Sequence, residues 1–313
     1  MRVLVHCHDD TAWCDALSQR LPDAEILPSS TPADQRGNID YLAAWQPSPE
    51  LLKQLPSLKG IVNLGAGVDA LLNNPALPAG VPIVKLRDAG MAKLIADYVR
   101  YGVLHFQRNF DHYARQQAKQ QWQPLDVIDK ADWPVGVLGL GAIGHKVADA
   151  IAADGFPVHG WSRTPKPLNS ITCHHGEDGL FTLLSQVQTL VLLLPDTAAT
   201  RGIINTNTLA ALPEGASLIN PGRGPLIDET ALLAALGDAH SDTPGRLRGA
   251  LLDAFSTEPL PESSPLWQHP RIRITPHMSG PTPLNEALDQ VAETLHAMNN
   301  GEPVETVDPQ AGY

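Results

Sequence analysis

The stretch PVGVLGLGAIG, residues 134–144, constrains the fold of this chain more than any other part of the sequence. Its short apolar run predicts a buried parallel strand, the run breaks into G-L-G-A-I-G, and apolar residues at helical spacing continue to Ala153. Strand, glycine turn and helix in this order are the setting in which three glycines at this spacing bind a dinucleotide. The alternative is a glycine-rich turn that only packs.

Each glycine of this motif has its own predicted role. Gly139 permits the tight turn, Gly141 lets the backbone approach a pyrophosphate, and Gly144 lets the helix pack on the strand. The first N–H groups of the helix then face the phosphates at the positive end of the helix dipole. The cofactor-binding residues predicted here are Gly139, Leu140, Gly141, Ala142, Ile143 and Gly144.

Composition limits the function classes. With 313 residues the chain is long enough for two domains, and a net charge of −12 argues against nucleic-acid or anionic-membrane partners. Three cysteines suit a reducing compartment, and the N-terminus lacks the apolar core of a signal peptide. No apolar run in the sequence is long enough to predict a membrane span. The sequence therefore predicts a cytoplasmic protein with no nucleic-acid or membrane partner.

Two series of alternating strands and helices predict an α/β protein with two doubly wound parallel sheets. A proline-free segment, residues 91–122, is predicted to be helical for much of its length and to join the series, with exposed aromatics for a subunit contact. The helix 283–300 follows the last strand and would return to the first domain. The predicted strands are 3–7, 24–27, 39–45, 60–64, 81–86, 158–161, 189–194, 217–220, 250–255 and 272–275, and the other predicted helices are 11–21, 49–55, 143–153, 180–187, 206–212 and 228–236.

Polar residues follow three late strands, where ligands collect in open α/β sheets. His277 is predicted to donate a proton to a carbonyl oxygen as a hydride arrives, and Glu258 to stabilise its imidazolium. Arg223, between two glycines, offers a planar fork of donors for a 2-oxo acid. The alternative for His277 taken alone is a histidine with its hydrogen bonds satisfied in the core, or one on the surface. The alternative for Glu258 is a carboxylate in a loop without a catalytic role.

The region about 20 residues after the glycines distinguishes the two nicotinamide cofactors, because an NAD site expects an acid there. Residues 160–166 read GWSRTPK and contain no acid, so a 2′-phosphate is favoured. NADPH is therefore the predicted cofactor, with NADH as the second choice, and a solvated basic turn is the alternative. The residues predicted to bind this end are Ser162, Arg163, Thr164 and Lys166.

Three further features leave alternatives open. Leu64–Gly67 is predicted either to bind a carboxylate through its N–H groups or to be a turn with positive φ at Gly65 or Gly67. The clusters at 6–8 and 173–175 contain His and Cys but lack metal-ligand spacing, so no metal is predicted. Trp45 and Trp122 are predicted, on pattern alone, to be packing residues.

The chain resembles the D-isomer-specific 2-hydroxyacid dehydrogenases over essentially its full length. Within the family it looks most like the bacterial glyoxylate and hydroxypyruvate reductases, through Trp45 and the segments DAGM (88–91), QWQPL (121–125) and WSR (161–163). The motifs that carry the family match are NLGAGVD (63–69), GLGAIG (139–144), NPGRG (220–224), DAFSTEPL (253–260), SPLW (264–267) and TPHMSG (275–280).

The resemblance implies reduction of glyoxylate to glycolate and of hydroxypyruvate to D-glycerate, with Arg223, Glu258 and His277 as the catalytic residues. It implies a flavodoxin-like substrate domain, residues 1–98 and 283–313, with a Rossmann NAD(P) domain, residues 99–282, inserted and forming most of a homodimer contact. It further implies that Pro195 and Asp253 bind the cofactor. The substrate-binding residues that it implies are Trp45, Leu64, Gly65, Ala66, Gly67, Met91, Arg223 and His277.

One departure from the family pattern precedes the arginine, where Pro221-Gly222-Arg223 replaces the common Ala-Arg-Gly. It bears on the placement of the arginine and on substrate range. Two alternatives stay open: another D-2-hydroxyacid dehydrogenase of the D-lactate or phenylpyruvate type, and a nucleotide-sensing binding protein like the dehydrogenase-related corepressors.

Overall fold

The computed structural model describes residues 1–239, 241, 245–309 and 311–312. It divides into two compact units, one of Met1–Met91 with Thr282–Tyr313, the other of Ala92–Pro281. The boundaries predicted after residues 98 and 282 lie slightly further along the chain. Each unit contains one parallel sheet, so the prediction of an α/β protein with two doubly wound sheets is confirmed.

The first unit has a five-stranded sheet with the order β2-β1-β3-β4-β5. Its core combines apolar residues of the strands, of short helices and of the C-terminal segment, where Val307 is buried. The C-terminal helix packs on the first helix of this unit. The elements are β1 (Arg2–His6), α1 (Asp10–Arg20), β2 (Glu25–Pro28), β3 (Tyr41–Ala44), α2 (Pro49–Lys53), β4 (Gly60–Asn63), α3 (Asp69–Leu72), β5 (Ile83–Lys85) and, after the second unit, α10 (Leu284–Asn299).

The second unit has a seven-stranded sheet with the order β12-β11-β10-β9-β6-β7-β8. The chain order reverses beside β6, which places a switch point at the carboxyl end of that strand. The elements are α4 (Met91–Gln107), α5 (Phe110–Ala118), β6 (Val135–Leu138), α6 (Ala142–Ala153), β7 (Val158–Ser162), β8 (Thr172–His175), α7 (Gly176–Leu184), β9 (Thr189–Leu192), α8 (Thr206–Ala211), β10 (Ala216–Asn220), α9 (Glu229–Leu236), β11 (Leu247–Leu252) and β12 (Ile272–Ile274).

Local sequence explains why these elements form. The central strands are buried along their whole length, which suits apolar runs covered on both faces. Several helices begin at a side-chain cap: Asp228 accepts from the N–H groups of Thr230 and Ala231 at the start of α9. Asn205 and Thr208 form a capping box at the start of α8.

The long helix predicted over 91–122 is two helices. Neither Pro nor Gly marks the break at Arg108 and Asn109; Asn109 adopts a left-handed φ of 60° and its side chain bonds to the carbonyl of Asp126 and to Arg248. Helix α5 ends at Ala118. Trp122 lies beyond it and is 99% exposed, so the prediction that it packs is wrong for the chain by itself.

Several predicted element boundaries differ from the observed ones, and one strand was missed. Strand β11 begins earlier and ends at Leu252, so Asp253 follows the strand instead of lying in it. Helix α7 begins at Gly176 because Glu177 and Asp178 suit its first turn. Strand β8 has mostly polar, partly exposed residues at the sheet edge and was not predicted. In the described part of the chain, no helix is long and apolar enough to cross a membrane.

Candidate active site

The glycine turn, Gly139–Gly144, joins β6 to α6 at the switch point of the second unit. Gly139 has a φ of +103°, and a Cβ there would come within 2.6 Å of the carbonyl oxygen of Leu193. A Cβ on Gly144 would overlap the carbonyl oxygen of Gly139, whereas one on Gly141 would meet nothing within 4 Å. Gly141 is the N-cap of α6 and provides no side-chain cap. The turn therefore presents helix N–H groups and open space, which fits a diphosphate.

A basic turn, Ser162–Lys166, follows the carboxyl end of the neighbouring strand β7. The Ser162 hydroxyl donates to the carbonyl of Thr164 at 2.7 Å and tightens the turn. The ammonium of Lys166 donates to the carbonyl of Leu140 at 2.8 Å and so ties this turn to the glycine turn. Arg163 is exposed beside them. The two turns form one surface that carries positive charge on the β7 side.

His277 and Glu258 meet at the carboxyl edge of the same sheet. The ring Nδ1 of His277 lies 2.7 Å from Oε2 of Glu258, and both side chains are about 40% exposed, at 40% and 37%. The other oxygen, Oε1, accepts from the N–H of Phe255 at 2.9 Å. Because an ionised carboxylate only accepts, Nδ1 carries the proton, and Nε2 is the nitrogen available to a ligand.

Arg223 lies in the loop after β10. In the sheet, β10 lies between β12, which precedes His277, and β6, which precedes the glycine turn. Its carbonyl accepts from the Asn220 side chain at 3.0 Å, and its guanidinium donates to the Gly222 carbonyl at 2.8 Å. A Cβ on Gly222 would come within 2.7 Å of the Leu192 carbonyl oxygen, and one on Gly224 would overlap the Phe255 backbone. The glycine at the departure from the family pattern is thus required by close packing on β9.

Two further predicted cofactor residues occupy the same edge. Pro195 follows β9, and its carbonyl accepts from the Thr200 hydroxyl at 2.6 Å. Asp253 directly follows β11 and is completely buried. Its oxygens accept from the N–H groups of Met278 and Ser279 at 2.9 and 2.8 Å, so the carboxylate holds the loop that carries His277.

In the first unit, the LGAG loop, Leu64–Gly67, follows β4. Neither Gly65 nor Gly67 has a positive φ, so the interpretation as a positive-φ turn is wrong. A Cβ on Gly65 would instead overlap the ring of Trp45, which follows β3. The Asn63 amide donates to the carbonyls of Gly65 and Gly67 at 2.7 and 2.9 Å and so fixes the conformation of the loop.

Thr282 connects other predicted substrate-binding residues of this unit. Its hydroxyl lies 3.4 Å from the Leu64 carbonyl oxygen and 3.7 Å from the sulfur of Met91, which is buried. Ala66, at the centre of the loop, is partly exposed. Thr282 and Asn63 were not predicted as site residues. An Asx two positions before a G-x-G run is a usable turn signal, whereas nothing in the sequence links Thr282 to residue 64.

In each cluster of histidine and cysteine residues, 6–8 and 173–175, one histidine side chain contacts another side chain of the protein. The rings of His159 and His174 stack, with Nδ1 and Nε2 3.1 Å apart, and burial lowers the pKa of each. The imidazole of His6 bonds to the Ser29 hydroxyl at 2.9 Å. Across the residues described, no three His, Cys, Asp or Glu side chains converge in a way that would hold a metal ion.

A family model described as "D-isomer specific 2-hydroxyacid dehydrogenase, NAD binding domain" matches residues 101–279, more than half of the chain. Curated relatives match nearly the whole chain. "Glyoxylate/hydroxypyruvate reductase A" of Serratia proteamaculans is 41% identical over 307 residues, 96% of each chain. The protein of the same name from Photorhabdus laumondii is 40% identical over 311 residues, 97% of each chain.

Solved structures with names from the same family also superpose on nearly the whole chain. A D-isomer specific 2-hydroxyacid dehydrogenase from Xanthobacter autotrophicus, in complex with NADPH and MES, superposes with a TM-score of 0.91 at 37% identity and 99% coverage of both chains. An NADPH-dependent glyoxylate/hydroxypyruvate reductase from Sinorhizobium meliloti, in complex with NADP and sulfate, has a TM-score of 0.90 at 32% identity, covering 100% of this chain and 99% of that one.

Proposed function

Because this chain belongs to the D-isomer specific 2-hydroxyacid dehydrogenases, we propose that it reduces glyoxylate and hydroxypyruvate with NADPH. The observation that carries the proposal is the His277–Glu258 pair at 2.7 Å, on the same sheet edge as the glycine turn. The curated relatives named for this activity support the choice of substrates.

The chain's own residues supply the proton chemistry. When bound, NADPH supplies the hydride that reduces the carbonyl carbon. Glu258 holds Nδ1–H of His277, so Nε2 of the imidazolium faces the substrate and gives its proton to the carbonyl oxygen. Arg223 orients the 2-oxo acid through its carboxylate or carbonyl oxygen, and the LGAG loop with Trp45 and Met91 selects the substrate. Reduction consumes one proton, and the reverse reaction returns it to His277.

Selection of NADPH over NADH is assigned to the basic turn. Arg163 and Lys166, with the hydroxyls of Ser162 and Thr164, offer charge-assisted hydrogen bonds to a 2′-phosphate. The helix N-terminus of the glycine turn would hold the diphosphate, and we assign Pro195 and Asp253 to the nicotinamide end of the cofactor site. The neighbouring structures solved with NADPH or NADP support this assignment.

The test is a steady-state panel of glyoxylate, hydroxypyruvate, pyruvate and phenylpyruvate, each with both cofactors. We expect the highest kcat/KM with the first two substrates and NADPH. Arg163→Gln should lower kcat/KM for NADPH about tenfold or more and leave NADH unchanged, since a phosphate partner is lost. Lys53→Gln, an exposed charge change in the first unit, is the control. A wild-type preference for NADH, or for pyruvate, would contradict the proposal.

We also assign a homodimer contact to the face that carries α4 and α5. Leu104, Phe110 and Trp122 are large apolar side chains with exposed fractions of 37%, 52% and 99%. A Phe110→Ser, Trp122→Ser double variant should sediment as a monomer where the wild type sediments as a dimer. A wild-type monomer at micromolar concentration would exclude this contact.

All three cysteines are free thiols, which supports a reducing, cytoplasmic setting.

A further inference from the structure

His277 has a backbone conformation that non-glycine residues avoid. Its φ is +49°, in the left-handed region, three residues after the end of the short strand β12. Such a conformation persists only when the surrounding contacts determine it. The position of the imidazole therefore depends on whatever holds residues 275–279.

The side chain and main chain of Asp253 hold this loop. Besides accepting from Met278 and Ser279 through its carboxylate, Asp253 accepts the N–H of His277 at its own carbonyl oxygen, at 3.0 Å. Its N–H donates to the carbonyl of Asn220 at the end of β10, also at 3.0 Å. The loop of His277 is thereby fastened to two neighbouring strands.

A chain of two hydroxyls reaches the same carboxylate from the other side. The Thr275 hydroxyl lies 2.6 Å from Oδ1 of Asp253, and the Tyr98 hydroxyl lies 2.8 Å from the Thr275 oxygen. An ionised carboxylate has no proton to give, so Thr275 donates to Asp253 and accepts from Tyr98. Burial raises the pKa of Tyr98, which keeps this hydroxyl protonated as the first donor of the chain.

We propose that Tyr98 and Thr275 are positioning residues for the reduction proposed above: they fix the buried Asp253 carboxylate, and through it the strained loop that aims His277 at Glu258. Tyr98 lies on α4, 177 residues before Thr275, and none of the recognised sequence motifs includes it. Both hydroxyls belong to the hydrogen-bond chain that ends on Asp253, so both act through the geometry of the imidazole. The inference rests on the proposed function for its kinetic consequence only.

A buried hydroxyl chain at the opposite end of the same sheet provides a matched control. The Trp133 indole donates to the Thr189 hydroxyl at 2.9 Å, and that hydroxyl bonds to Ser217 at 2.8 Å, both at the amino ends of their strands. Thr189 is completely buried. Thr189→Val removes the same group as Thr275→Val, in the same sheet, far from the strand ends that carry the site.

The test compares kcat, KM for glyoxylate, the Kd of NADPH and Tm across these variants. Since small misplacements of a reacting group are costly, kcat should fall about tenfold in Thr275→Val and about threefold in Tyr98→Phe, with KM and Kd within about twofold of wild type. Thr275→Ser keeps the hydroxyl and should restore kcat. Thr189→Val should lower Tm as Thr275→Val does and leave kcat unchanged.

An unchanged kcat in Thr275→Val, or an equal loss of kcat in Thr189→Val, would overturn the proposal. A fall in NADPH affinity without a fall in kcat would do so too, because Asp253 would then serve only the cofactor. Ring ¹⁵N resonances of His277, assigned with His277→Gln, give a readout without turnover: they should shift in Thr275→Val and not in Thr189→Val. An inactive wild type in which those shifts occur would reject the substrate proposal and keep the positioning one.

Discussion

The glycine turn of the second unit and the LGAG loop of the first unit have similar sequences and different constraints. Each follows a buried four-residue parallel strand, β6 or β4. The glycine turn is shaped by main-chain contacts and runs into a helix of 12 residues. The LGAG loop is shaped by two side chains, Trp45 and Asn63, and the helix after it has 4 residues. What a Cβ would touch, and not the spacing of glycines, decides the role of each glycine.

Gly144→Ala should break this comparison most severely. The new Cβ would overlap the Gly139 carbonyl oxygen, and Gly139 cannot retreat because its N–H donates to Trp161 at 2.9 Å. We expect the free energy of unfolding to fall by about 3 kcal/mol and NADPH binding to be lost. Urea unfolding and fluorescence titration measure the two effects. Wild-type values in both would show that helix and turn need no such close approach.

Gly65→Ala should have the next largest effect, because the overlap is with a ring that can rotate away. We expect about 2 kcal/mol of lost stability and a raised KM for glyoxylate, with the Kd of NADPH unchanged. A second substitution, Trp45→Leu, should recover stability by removing the ring and leave KM high. Additive losses in the double variant would mean that the two positions do not interact.

Asn63→Ala would leave two loop carbonyls without their donor. The loss should be about 1–2 kcal/mol in the free energy of unfolding, together with a raised KM. Asn74→Ala is the matched control, since that amide donates to the Pro47 carbonyl at 2.8 Å in the same unit. The control should lose similar stability and keep its KM. A raised KM in both would assign the effect to the unit as a whole.

Gly141→Ala should have the smallest effect on stability and the clearest effect on binding. A Cβ there meets nothing within 4 Å, so the free energy of unfolding should stay within about 0.5 kcal/mol of wild type. NADPH should nevertheless bind at least about tenfold more weakly, because the methyl group would stand where the backbone approaches a phosphate. Unchanged NADPH affinity would contradict the predicted approach.

The sequence was most informative where physical cause is local. Buried central strands such as β6 and β9 appear as apolar runs, and the glycine turn appears as spacing. The break at Asn109 escaped prediction because its left-handed φ is stabilised by Arg248, which is distant in sequence. Strand β8 escaped because an edge strand tolerates polar residues.

The candidate site shows the same division. The placement of Glu258 and His277 at one sheet edge was predictable, because they lie six and three residues after the ends of β11 and β12. The contacts of Tyr98 with Thr275 and of Thr282 with Leu64 join residues 177 and 218 positions apart. Such contacts follow from the assembled sheet and leave no pattern in a single sequence.

The first unit is built from two segments that are distant in the sequence, and this affects the order in which its parts leave the ribosome. The second unit is one uninterrupted segment and contains its own core, so a ribosome delivers all of it before α10 emerges. The core of the first unit is complete only with α10, because Leu288, Val291 and Leu295 of that helix are completely buried. The second unit can therefore form its core before α10 is available to cover the sheet of the first unit.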